Sequence, residues 1–194
     1  MTVVSPLFTQ YAHSDYSPGQ IPTPPSIAPL NITALVPPQS LRCDIIRPTL
    51  TYLGVTSNAA ENLLLGTLLA MAWLPRDKHW ADAIGPYAIT PAVHTRLWDE
   101  YLALQPDQAS LIRGLASQRC FLQYPHAELA YNLAYATAIA WMLYQQQGVC
   151  LDTCQDADSL ASVWLLAYPH CGASASDFMS SWSRTLGEHA LISS

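Results

Sequence analysis

Five cysteines, six histidines and 14 acidic residues carry most of the reactive chemistry in this 194-residue sequence. The cysteines are Cys43, Cys120, Cys150, Cys154 and Cys171, and only Cys150 and Cys154 are near neighbours. Their CxxxC spacing is not the CxxC hook of a zinc ribbon. A zinc set of Cys150, Cys154, His170 and Cys171 can be written down. Buried free thiols are the default reading, with a Cys150–Cys154 disulfide as the alternative in oxidising surroundings. No metal and no cofactor is expected. His79, His94, His126 and His170 lack a histidine or carboxylate four residues on, the spacing that would build a metal face on a helix. His94, near a helix start, reads as a local hydrogen-bonding residue rather than a base. No GxSxG elbow, P-loop or dinucleotide fingerprint is present.

The background of these residues is unusual. Asp, Glu, Lys and Arg make up 11% of the chain, against roughly 25% in typical domains. A solvated monomer normally carries more charge. Either neighbours cover much of the surface, or Gln, Ser and Thr make it polar. The net charge is −6 and Lys78 is the single lysine. That argues against a nucleic-acid partner, whose phosphates need basic residues to displace counterions. It argues equally against a polybasic membrane-surface protein. Positions 1–10 have neither a basic start nor a long apolar run, so no secretory leader is expected. The apolar runs near 63–74 and 133–143 are too short and interrupted to span a bilayer.

The elements that must hold these side chains fall into two parts, an arm over 1–47 and a helical domain over 48–194. Pro6, Pro18, Pro22, Pro24, Pro25, Pro29, Pro37, Pro38 and Pro48 crowd the first part. Proline fixes φ and removes a donor, so the spacing predicts extended or polyproline-II chain there. Phe8, Tyr11, Tyr16, Ile21, Ile27 and Leu30 set it apart from a polar linker and suit docking along a surface. From Thr56 the pattern becomes helical. Ser57 or Asn58 caps an almost wholly apolar helix over 59–74, with Glu61 in its first turn. Gly85-Pro86 marks a turn, with a short extended piece over 87–89. Thr90 caps a helix over 92–104 with Pro91 at its first position. Further helices are predicted over 107–119 and 127–146, from a start at Asp156 or Asp158 through 167, and over 177–186. The expected fold class is all-α.

Three blocks carry a resemblance. The first is Asn58-Ala59-Ala60-Glu61-Asn62-Leu63-Leu64-Leu65-Gly66-Thr67. The second is Gly85-Pro86-Tyr87-Ala88-Ile89-Thr90-Pro91-Ala92-Val93-His94, continued by Leu97-Trp98-Asp99-Glu100-Tyr101-Leu102. The third is Asn132-Leu133-Ala134-Tyr135-Ala136-Thr137-Ala138, with Trp164 and Tyr168 beyond it. Together they resemble phage-encoded proteins with a lysozyme-like, lytic-transglycosylase-like helical domain. The resemblance spans roughly 47–182 and leaves out the arm. It implies a lysozyme-like fold in which a glutamic acid near the end of the first buried helix protonates the leaving oxygen of a glycosidic bond.

This sequence departs from that pattern where the chemistry would lie. Ala70, Met71 and Ala72 stand where Gln, Glu and Ser are expected, and Ala88 stands for a Gln. Trp141, Leu143, Ala167 and Pro169 replace further polar residues. Met71, at the expected acid, cannot donate a proton. Glu61 is ten residues away along the helix, about 15 Å at 1.5 Å per residue, too far to substitute. Asp77 and Asp82 lie in the loop before the turn block, and Asp82 is the rescue residue to test. Glu100 reads as solvated, and Glu128 as a helix-start acid.

The resemblance, with its acid lost, implies a structural component of a tailed-bacteriophage virion, in the tail or baseplate. Its partners would be other virion proteins in a multi-subunit assembly, put together in the host cytoplasm. Two alternatives remain: a peptidoglycan-cleaving tail protein using an acid such as Asp82, and a non-cleaving peptidoglycan-binding module. The latter rests on Trp73, Tyr87 and Trp98.

Overall fold

The computed structural model describes residues 36–74, 81–117, 124–154, 156–170 and 172–186. Among them the chain is helical and has no strand, so the fold class is all-α. The six apolar residues singled out in the arm lie outside the described residues.

The first helical segment, α1, covers residues 38–52. It runs as a short α-turn Pro38–Ser40, a π-helical stretch Leu41–Ile46 and an α-helix Arg47–Tyr52. The sequence reading had residues 38–47 extended, because prolines flank them. Both prolines are accommodated. Pro38 sits at a helix start, where a missing N–H costs nothing. Before Pro48 the ladder widens, with the Arg47 N–H donating to the carbonyl of Arg42, five residues back. The expected boundary at 47/48 therefore falls inside one helical segment. Leu41, Ile46 and Leu50 on this segment are buried.

Helix α2, Asn58–Trp73, is the central element. The Ser57 hydroxyl accepts from the Ala60 N–H at its start. Residues 63 to 71 are all buried. Such a helix survives only with neighbours on several sides. They include α1, α7 (Ala157–Ala167) and α8 (Ala175–Leu186). At Gly66 a methyl group would overlap the ring of Phe178 in α8.

A tight turn follows. Ile84 and Ile89 form an isolated antiparallel bridge, exchanging hydrogen bonds of 2.9 and 3.1 Å. Gly85 has φ +71°, and a methyl group there would overlap the Leu129 carbonyl. Only glycine fits that combination. Ala88 also has positive φ, +48°, an uncommon backbone for a residue with a Cβ.

Thr90 caps α3, Pro91–Arg96, with Pro91 at its first position. The helix expected over 92–104 loosens after Arg96 into a π-turn, Leu97–Tyr101, and a 3₁₀ turn, Leu102–Leu104. Helix α4, Pro106–Leu115, carries buried Ala109 and Ile112. The single helix expected over 127–146 is broken. A 3₁₀ turn, Pro125–Ala127, leads into α5, Glu128–Tyr131, and α6, Leu133–Gln146, follows. Asn132 leaves helical geometry, and its side chain accepts from the Tyr135 N–H to start the ladder again. An internal asparagine here acts as a second N-cap, because its side chain competes with the backbone ladder. A capping box of Asp156 and Ser159 opens α7.

Candidate functional site

Met71 lies near the C-terminal end of α2 and is 3% exposed. It is a core residue with no ionisable group to offer. Glu61, in the first turn of α2, is held by Arg47 of α1 through two parallel contacts of 2.8 Å. Arg42 donates beside it to Asn62. This carboxylate fastens α1 to α2 and keeps a fixed basic partner. Asp82 is exposed in the turn before the Ile84–Ile89 bridge. Asp77 lies outside the described residues. Glu100 is exposed, whereas Glu128 is buried and accepts from the Asn132 amide at 2.8 Å.

The three aromatics proposed from sequence to line a ligand surface have different surroundings. Trp73 is half exposed, with the Arg184 guanidinium 4.6 Å above its ring. Tyr87 is fully buried. Its hydroxyl pairs with Thr137 at 3.2 Å, and its carbonyl accepts from the Tyr168 hydroxyl at 2.9 Å. Burial pushes the Tyr87 phenol well above its usual range. Tyr87 therefore closes the turn block onto α6 and offers no face to a ligand. Trp98 is half-buried, with the Arg113 guanidinium 4.9 Å from its ring centre.

Trp98 belongs to a polar cluster with His94, His126 and Tyr135. His94 on α3 is 1% exposed, yet both its ring nitrogens are engaged. Nδ1 lies 2.9 Å from Nδ1 of His126. Nε2 lies 2.8 Å from the Tyr135 hydroxyl on α6 and 3.1 Å from the Trp98 indole nitrogen. The indole nitrogen is also 3.1 Å from the Tyr135 oxygen. Asn132 anchors the surroundings, donating to the Leu115 carbonyl at 2.8 Å as well as to Glu128.

The single Trp98 indole proton has two acceptors within reach, His94 Nε2 and the Tyr135 oxygen, so the distances fit His94 protonated on either nitrogen, with the direction of the His94–His126 bond following from that choice. Burial, with His126 adding to it, pushes the His94 pKa down to about 4. Burial also lowers His126, and it raises the Tyr135 phenol. His94 is thus a buried histidine whose two ring nitrogens both have partners within the fold.

Sequence reasoning placed His94 as a local hydrogen-bonding residue, and its bond to Trp98, four residues on, is of that kind. It did not find His126 or Tyr135 as partners. They lie 32 and 41 residues away, and no spacing rule reaches that far. Cys150 and Cys154 flank a turn closed by the Cys154 N–H on the Leu151 carbonyl at 3.0 Å. Both are free thiols, as is Cys43. His170 is engaged through Nε2 with the Leu165 carbonyl at 2.7 Å, and Cys120 and Cys171 lie outside the described residues. Among the described residues no group of three or more His, Cys, Asp and Glu is arranged to hold a metal ion. No helix there is long and apolar enough to cross a membrane. No family model matches the chain, and no curated protein or solved structure matches it.

Proposed function

We propose that this chain is a structural component of a tailed-bacteriophage virion, placed in the tail or baseplate. Its helical part is a lysozyme-like domain that has lost the glycosidase acid and works through its surfaces, against other virion proteins. The observation that carries the reading is Met71. At the position where the resemblance expects a proton donor, a thioether is packed into the core at 3% exposure. The neighbouring Ala70 is fully buried as well. The polar groups that remain inside are tied to one another, as Tyr87 is to Thr137 and Thr67 to Tyr144. Such pairs stabilise a packing module and leave no group to transfer a proton. The low charge of the sequence agrees with a surface that neighbours cover.

Mass spectrometry of purified virions, fractionated into heads and tails, tests the assembly half. The chain should appear at stoichiometric copy number in the tail fraction. Its presence only in lysates and never in particles would end the reading. A zymogram on bacterial cell walls tests the other half. No clearing is expected from the wild-type protein. Clearing that Asp82→Ala abolishes would replace the structural reading with an enzymatic one.

A further inference from the structure

We propose that His94 and His126 form a binding site for a divalent transition-metal ion of the zinc class, held between their Nδ1 atoms and completed by water. The proposal is independent of the virion reading.

The two nitrogens already face each other. Nδ1 of His94, on α3, lies 2.9 Å from Nδ1 of His126, in the Pro125–Ala127 turn. Two imidazole nitrogens on one tetrahedral zinc, at about 2.0–2.1 Å each, stand about 3.3 Å apart. The rings therefore part by only a few tenths of an ångström to admit the ion. His126 sits in a single 3₁₀ turn, which can yield by that much. Three breaks in helical geometry meet at the pair: the π-turn with Trp98, the 3₁₀ turn with His126, and the Asn132 cap before Tyr135. Such π-turns recur at functional sites.

Both rings suit the role. A ligating Nδ1 must be bare, so each neutral ring carries its proton on Nε2. For His94 that proton meets the Tyr135 hydroxyl, 2.8 Å away. The Tyr135 oxygen has two lone pairs and also takes the Trp98 indole proton, at 3.1 Å. A ligating histidine commonly hands its second N–H to such a partner, which fixes the ring and its tautomer. His126 is half-buried and gives the ion a way in from water. Burial lowers both imidazole pKa values, so protons compete little with a metal at neutral pH.

The surrounding charge favours a cation. Glu128, two residues after His126, is 4% exposed and accepts from Asn132. Among the described residues the ion pair is Arg47–Glu61, and no cation holds Glu128. A buried carboxylate in that state gains from a positive ion nearby. Its field reaches the Tyr135 phenol, whose hydroxyl touches His94. Arg113 opposes it there, but Arg113 is exposed above Trp98 and water screens it. No third His, Cys, Asp or Glu is arranged to join the pair among the described residues. Water fills the remaining positions, and the affinity is accordingly micromolar rather than tighter.

A zinc titration of the full-length protein at neutral pH, followed by ¹⁵N spectra of the imidazoles, tests the site. The Nδ1 resonances of His94 and His126 should move together and saturate at one Zn²⁺ per chain, with both Nε2 atoms protonated. Mg²⁺, which prefers oxygen ligands, should leave them in place. In His126→Gln the His94 Nδ1 resonance should no longer respond. In a Cys150→Ser, Cys154→Ser variant it should respond as in the wild type, since the site uses no thiol. Resonances that zinc leaves unmoved, an equal response to Mg²⁺, a response that survives His126→Gln, or one lost with the two thiols would each overturn the proposal. Should His126→Gln fold poorly, the wild-type spectra decide alone.

Discussion

Gly66 of α2 faces the ring of Phe178 in α8 so closely that no side chain fits between them. The contact fixes how near the two helices lie. It is also the only glycine in α2, placed where a helix normally suffers for having one.

Gly66→Ala tests that packing. Better helix propensity returns about 1 kcal/mol, but overpacking a filled core costs about 1–3 kcal/mol. A net loss of about 1 kcal/mol is expected, read as a lower urea midpoint. Phe178→Leu should be less harmful in the Gly66→Ala background than alone, because the smaller side chain makes room. Strict additivity of the two changes would show that they do not compete for one space.

A second pair makes an asymmetric prediction. The Thr67 hydroxyl lies 2.7 Å from the Leu63 carbonyl and 2.6 Å from the Tyr144 hydroxyl. A carbonyl can only accept, so the threonine proton goes to Leu63 and Tyr144 donates to Thr67. Tyr144→Phe therefore leaves Thr67 with its donor bond and should cost about 1 kcal/mol. Thr67→Val strands a fully buried phenol and should cost more, about 2–3 kcal/mol. The double variant should fall short of the sum. Denaturant melts of the three proteins decide, and equal single losses would contradict the assigned direction.

Much of the helical architecture was legible in the sequence, and the reasons are local. Ser57, Thr90 and Asp156 announce helix starts through side-chain caps, which need only a few residues of context. The apolar run over 59–74 announces a buried helix by composition alone. Two features escaped because longer reach decides them. Asn132 breaks a run that reads as one helix, since its amide also finds the Leu115 carbonyl, 17 residues back in the chain. The prolines around α1 read as extended chain, yet burial of Leu41 and Ile46 outweighs propensity. The His94 cluster escaped for the same reason, its partners being distant in sequence.

The position of α1 leads to a truncation prediction. A chain starting at Val36 retains every described core residue. One starting at Pro48 loses Leu41 and Ile46, which are 1% and 0% exposed. Burial of those two side chains is worth roughly 3–6 kcal/mol. It also loses Arg47 and leaves the Glu61 carboxylate at the start of α2 without that partner. The shorter chain should unfold at markedly lower denaturant, or fail to give a cooperative melt, while the longer one keeps the stability of the full protein. Equal melts from both would mean that α1 is not part of the core.

The buried histidine links stability to pH, and the sign can be worked out. His94 is held at about 4 in the folded chain, against about 6.5 when exposed. The unfolded chain therefore binds more protons between those values, and stability falls as pH drops through that window. The stabilisation is fully present above pH 6.5 and is lost as pH approaches 4. The whole span is worth about 3 kcal/mol. Urea titrations at successive pH values should show the decline in the wild type. His94→Asn, less stable at neutral pH, should show a flatter profile across the same window. A wild-type stability that rises on acidification, or a decline just as steep in the variant, would take His94 out of the account.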